Sequence, residues 1–216
     1  GMLLALGIVS ALLETKSSEK GQVIDAAMTD GSSLLMTMMY SMHHSGFWNL
    51  ERQTNLLDGA AHFYDTYECK DGKYISIGSI EPQFYALLCE KAGLSQEDFG
   101  DQMKRETWEH KKELIKKVFV LKSRDEWCEI MEGTDVCFAP VLDMSEAPNH
   151  PHNVARKTFI ELEGVTQPAP APRFDRTENE VVLPPALAGE HSKEILESLG
   201  INEVEIKKLL DSGSVA

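Results

Sequence analysis

The sequence predicts an α/β unit joined to an α+β unit. Three observations carry that expectation. The first 44 residues read as helix, strand, helix. Residues 63–77 hold two alternating runs around a Lys-Asp-Gly turn, followed by amphipathic helices and a proline-ended strand. A proline-rich stretch at 166–185 then leads into two short terminal helices. The expected division is residues 1–44, a piece of an α/β domain; 45–63, a linker; 64–160, a small α+β domain; and 161–216, a strap with the last helices.

Leu3 to Glu14 is apolar nearly all round and has no capping residue, so a helix there belongs inside a larger body. With Gly1-Met2 before it, the start reads as the cut end of a longer chain. After the polar turn Lys16–Lys20, Gln22 to Ala27 reads as a short buried strand. Thr29 or Asp30 is placed to cap a helix running through Leu34, Leu35, Met38, Met39 and Met42. Residues 45–62, with Gly46, Asn49, Asn55, Asp58 and Gly59, read as a long loop, and a loop of that length is usually functional. Phe63–Cys69 and Lys73–Ile77 flank Lys70-Asp71-Gly72, a hairpin signal. Helices are expected near 82–93, 106–120 and 123–132. Val136–Val141 reads as a strand, and Pro140 puts it at an edge or a strand end. Prolines 168, 170, 172, 184 and 185 make 166–185 extended and semi-rigid. Helices then start near Ser192 and at Asn202, where Asn202 and Glu205 approximate a capping box.

The composition narrows function. A chain of 216 residues with 42% hydrophobic content builds a substantial core. A net charge of −14 argues against nucleic acid and anionic membrane surfaces as partners. The apolar start is too short to span a bilayer and lacks the features of a signal peptide. Cys69, Cys89, Cys128 and Cys137 are scattered, without C-x-x-C spacing, and read as reduced core thiols of a cytoplasmic protein.

Chemistry concentrates at the strand-to-helix corner Gly78–Tyr85. Pro82 suits the first helical position, and it drives Glu81 into extended backbone at or before the cap. The positive end of a helix favours an anion there. A capping role alone accounts for Glu81 on these grounds. The methionines at 28, 36, 38, 39 and 42 suit either ordinary core or a pocket for a variable apolar chain. His43 and His44 are adjacent and point apart, His150 and His152 sit in a loop, and His62 precedes the hairpin. Tyr64 reads as a half-buried strand tyrosine able to hydrogen-bond a ligand. No phosphate loop, dinucleotide fingerprint, nucleophile elbow or H-E-x-x-H is present.

Several strings resemble the α-methylacyl-CoA racemases of the family III CoA-transferase (CaiB/BaiF) fold. They are Gly21-Gln22-Val23-Ile24-Asp25-Ala26-Ala27-Met28, Asn55-Leu56-Leu57-Asp58-Gly59, Phe63-Tyr64-Asp65-Thr66-Tyr67, Ile80-Glu81-Pro82-Gln83-Phe84-Tyr85 and Gly189-Glu190-His191-Ser192-Lys193-Glu194-Ile195-Leu196. The resemblance runs over essentially the whole chain. It implies an interlocked homodimer with a large Rossmann-like domain, formed by the N-terminal half and the returning C-terminus, and a small α+β domain between them. It implies an acyl-CoA substrate and no cofactor beyond the CoA that the substrate carries. It also implies a His and an Asp that exchange the proton beside the thioester carbonyl, with Glu81 as the catalytic-site glutamate bonded to that His. Pocket contacts carried over from the family are Met28, Asp30, Leu57, Tyr64 and Ile80. The resemblance further implies that the His, the Asp and most CoA-binding basic residues lie upstream, so the chain is expected to be a C-terminal portion, lacking the N-terminal half of the large domain and inactive alone. His62 stands where these racemases usually have proline. Two alternatives stand beside a racemase: a CoA transferase of the same fold, and a non-catalytic assembly module.

Overall fold

The computed structural model describes every residue except Val182 and Ala216. The chain divides into two compact units, Gly1–Val141 and Leu142–Ala216.

The first unit is organised by an antiparallel three-stranded sheet: β1 (Tyr64–Glu68), β2 (Tyr74–Gly78) and β3 (Phe138–Pro140), in that spatial order. The expected hairpin joins β1 to β2, and Gly72 takes φ +73° in its turn, a conformation open to residues without a Cβ. Strand β3 lies at the sheet edge and ends on Pro140, where a missing N–H costs no ladder bond. Register pairs Tyr67 with Ile75, Ile77 with Phe138, and Thr66 with Ser76. The period of two therefore divides the sheet. Tyr67, Ile75 and Ile77 are buried, whereas Tyr64, Thr66, Ser76, Gly78 and Ala139 are only part-buried or exposed.

The core is closed by α4 (Pro82–Ala92), the short α5 (Gln96–Phe99), α6 (Trp108–Phe119) and α7 (Arg124–Met131). Helix α6 buries Trp108, Lys111, Ile115 and Phe119 along one stripe. Phe119 packs against Tyr67 at a tilt and meets Trp127 edge-on, each with ring centres 5.2 Å apart. Helix α7 starts with a complete capping box between Ser123 and Glu126. Lys111 is buried, and its ammonium donates to the carbonyls of Gly100 and Asp101 just after α5.

The N-terminal elements depart from expectation. The first helix extends over Met2–Ser18, and no residue of it is buried. Gln22–Ala27 is not a strand: it has no ladder, and Val23 is 96% exposed. A strand is made by a neighbour rather than by propensity, and none of the described residues pairs with this segment. The next helix begins at Met28 and breaks at Met36 into Met28–Leu35 and Thr37–His44. Its N-cap is Ala27. Asp30 lies in the first turn, where it complements the helix dipole without capping.

The second unit holds a 6-residue helix, Pro151–Arg156, and a hairpin of Phe159–Leu162 with Val165–Pro168. The hairpin falls where the sequence predicts the end of a domain and the start of a strap. The last helices are Ser192–Ser198 and Glu203–Asp211, and Asn202 accepts a hydrogen bond from Glu205 N at 3.0 Å, as expected.

Candidate functional site

The strand-to-helix corner is built as its sequence dictates. Gly78 closes β2 and its N–H donates to Cys137 O at 2.9 Å. Ser79 is fully buried; its N–H donates to Phe63 O at 3.0 Å and its hydroxyl to Val136 O at 2.5 Å. Glu81 takes φ −71° and ψ 142°, the extended backbone that Pro82 imposes, and is the N-cap of α4. Its carbonyl accepts the first helical bond from Tyr85 N at 3.0 Å. Its side chain makes no capping bond and is exposed. The carboxylate therefore sits at the cap position without being used as a cap.

Beside this corner, the open side of the sheet forms the floor of a cleft of about 550 Å³. Tyr64, Thr66, Ser76 and Gly78 line it from the sheet, and Leu57 and Asp58 wall it from the preceding loop. Cys137 also lines it, at φ +58°. Burial, with the nearby charges of Glu81 and Asp135, pushes the Cys137 thiol above its ordinary range.

The loop wall is held by its own polar network. Asn55, almost wholly buried, donates its amide to Asp58 Oδ2 at 2.7 Å and accepts from Asn49 N at 2.7 Å. Burial pushes the Asp58 carboxyl upward, but hydrogen bonds from the Asn55 amide and from neighbouring backbone N–H groups outweigh it and hold the carboxyl below the usual range. Lys112, reaching over from α6, bonds both the Gly59 carbonyl and the Asp65 carboxylate. Gly59 has φ +94°, and a Cβ there would stand 3.7 Å from Asp65 Oδ1, so the turn brings backbone close to that ion pair.

Of the expected pocket residues, Leu57 and Tyr64 meet in the cleft. Ile80 is part-buried against the core at the corner. Met28 and Asp30 lie on the Met28–Leu35 helix, with Met28 88% exposed, and the cleft lining does not include them. Asn55, Asp58, Asp65, Lys112 and Cys137 are not among the residues that the sequence marks as a site. Asn55 and Asp58, spaced i and i+3 before Gly59, carry a signal in their side-chain-to-backbone bonding habit. Cys137 carries none, because its place depends on backbone conformation.

The sequence profile of CoA-transferase family III matches residues 1–192. The chain is 41% identical over 214 residues to the alpha-methylacyl-CoA racemase of Mus musculus, covering 97% of this chain and 55% of that protein. It is 25% identical to the succinyl-CoA:glutarate CoA-transferase of Mus musculus, covering 96% of this chain and 50% of that one. A CAIB/BAIF family protein from Brucella suis has a similar solved structure, with TM-score 0.70 and 19% identity over 92% of this chain and 53% of that chain; at that identity the likeness speaks for the fold. The chain spans about half the length of the curated relatives it matches. Among the described residues no helix is long and apolar enough to cross a membrane.

Proposed function

Because the chain belongs to CoA-transferase family III, we propose that the whole protein racemises 2-methylacyl-CoA thioesters, acting as a homodimer in the cytoplasm. In this reading a base removes the proton on the carbon beside the thioester carbonyl, and the C–H electrons pass into an enolate. A proton is then returned to either face. The acid and base, a His and an Asp, come from outside these 216 residues. Glu81 holds that His in the tautomer and orientation that proton transfer requires. Leu57, Tyr64 and Ile80 border the acyl group, and Met28 and Asp30 join them in the assembled protein. CoA arrives with the substrate, and the reaction needs no metal or redox cofactor.

One observation carries the reading: a carboxylate at the N-cap of α4, beside a cleft, that makes no capping bond. The 41% identity to a racemase supports the choice of reaction. The test is α-hydrogen exchange of a chiral 2-methylacyl-CoA in deuterated water. The whole protein is expected to wash the hydrogen out, and the 216-residue chain alone is expected not to. Glu81→Gln in the whole protein is expected to lower kcat on the order of tenfold or more while changing KM little. An unchanged kcat would remove Glu81 from the mechanism.

A second reading is favoured by the likeness to a succinyl-CoA:glutarate CoA-transferase. Transfer of CoA to an added carboxylic acid, without exchange of the α-hydrogen, would select it over racemisation.

A further inference from the structure

We infer that Gln102 is the positioning residue of the Glu81 corner, its side-chain amide holding the two peptide carbonyls that immediately precede the glutamate. The inference rests on the racemase reading for its functional consequence, and on geometry alone for the positioning.

The ladder of β2 ends at Gly78. Beyond it the carbonyls of Ser79 and Ile80 lie outside the ladder, and each needs a donor from elsewhere. Gln102 supplies both: its Nε2 lies 2.9 Å from Ser79 O and 2.9 Å from Ile80 O. A primary amide nitrogen has two protons, one for each of these carbonyls. Gln102 is itself anchored, because the indole N–H of Trp108 donates to its backbone carbonyl at 2.8 Å. Trp108 is buried and meets Phe63 edge-on, with ring centres 5.7 Å apart. The other side of the same corner is tied to the core by the Ser79 N–H and hydroxyl. The Ile80 N–H turns back onto Gly78 O at 2.9 Å.

The backbone from Gly78 to Ile80 is therefore clamped from two sides, and the Glu81 Cα–Cβ bond is aimed by peptide planes that Gln102 holds. The glutamate side chain makes no capping bond of its own, so the backbone beneath it sets where its Cβ starts. A misplacement of about 1 Å, even by a mutation away from the chemistry, can cost on the order of a hundredfold in rate. A residue that only stabilised the fold would have no reason to act through Glu81.

Two measurements separate these roles. In the 216-residue chain, the pH profile of Cys137 alkylation, followed by peptide mass mapping, is expected to respond to the Glu81 charge. Glu81→Gln is expected to shift its midpoint downward. Gln102→Leu is expected to shift it too, and the double variant to coincide with Glu81→Gln alone, since position ceases to matter once the charge is gone. In the whole protein, Gln102→Leu is expected to lower kcat roughly tenfold to a hundredfold with KM within about threefold, and to add nothing to Glu81→Gln. Gln102→Asn keeps the amide on a shorter arm; it is expected to recover part of the loss and carries the comparison if the leucine variant fails to fold. The proposal is overturned if the Gln102 variants leave both the Cys137 profile and kcat unchanged, or if their effect multiplies independently with that of Glu81→Gln. A Cys137 profile that responds to Gln102 while Glu81→Gln leaves kcat intact would uphold the positioning and reject the racemase role instead.

Discussion

His62 is fully buried and enclosed by Phe63, Tyr85 and Phe99, with ring centres 5.1 to 5.9 Å away. Its Nε2 lies 2.7 Å from Tyr85 Oη, and that hydroxyl donates to Phe99 O. The tyrosine must then accept from the imidazole, which fixes the neutral Nε2–H tautomer. Nδ1 has no hydrogen-bond partner among the described residues. Protonating it would place a charge among the rings of Phe63, Tyr85 and Phe99, where the Lys111 ammonium of α6 opposes it. Burial, and then Lys111, push the imidazole down to about 3 from an ordinary 6.5. The unfolded chain therefore binds a proton that the folded chain refuses. Stability from this group is complete above about pH 6.5 and falls as pH drops toward about 3, by up to about 1.4 kcal/mol per pH unit. Denaturant unfolding between pH 7 and 4 checks this: His62→Leu is expected to flatten the acid limb by about one proton, and an unaltered slope would reject it. At this scale Glu81 is legible because proline restricts its predecessor, and Tyr64 because strands alternate. The burial of His62 is not legible, because it depends on α4, α5 and α6 closing over one loop residue.

At the scale of elements, the sheet and its helices stand on packing that the sequence announces. Tyr67, Phe119 and Trp127 form one aromatic column between β1, α6 and α7. Phe119 has 0% exposure, so Phe119→Ala leaves a cavity that its rigid neighbours cannot refill. Its expected cost is about 3–5 kcal/mol by denaturant unfolding; a loss below about 1 kcal/mol would mean that the column is not a core. Ser123→Ala, which removes the hydroxyl half of the α7 capping box, is expected to cost about 1 kcal/mol in the same measurement. Helices α4, α6 and α7 and the first hairpin are legible because period, caps and turn residues agree. The second hairpin is masked in the sequence by the prolines that begin at its last residue, Pro168. Its signal is the two-residue turn Glu163-Gly164, with φ of +49° and +78°, after the apolar-rich run Phe159–Leu162. Helix α5 escapes a sequence reading because four residues are too few to show a period.

At the scale of the whole molecule, the N-terminal helices present an apolar surface to solvent. Leu6, Val9, Leu12 and Leu13 are each more than 60% exposed on Met2–Ser18, and Leu34 and Leu35 on Met28–Leu35 are similarly exposed. Between these helices runs Gln22–Ala27, without a strand partner among the described residues. An apolar surface of this extent is uncommon on a soluble monomer and marks a face that another surface covers. The net charge of −14 discourages random association, so burial against a matched surface has to overcome that repulsion. A homodimer is the occupant consistent with the proposed function. Light scattering after size exclusion is expected to give a dimer or larger species at micromolar concentration. Leu6→Lys with Leu13→Lys, two substitutions on the exposed helix, are expected to raise the monomer fraction while leaving the urea midpoint of the β-sheet core unchanged. A monodisperse monomer of the unaltered chain with its first helix intact would reject the dimer. Association indifferent to the lysine pair would move the contact off this helix.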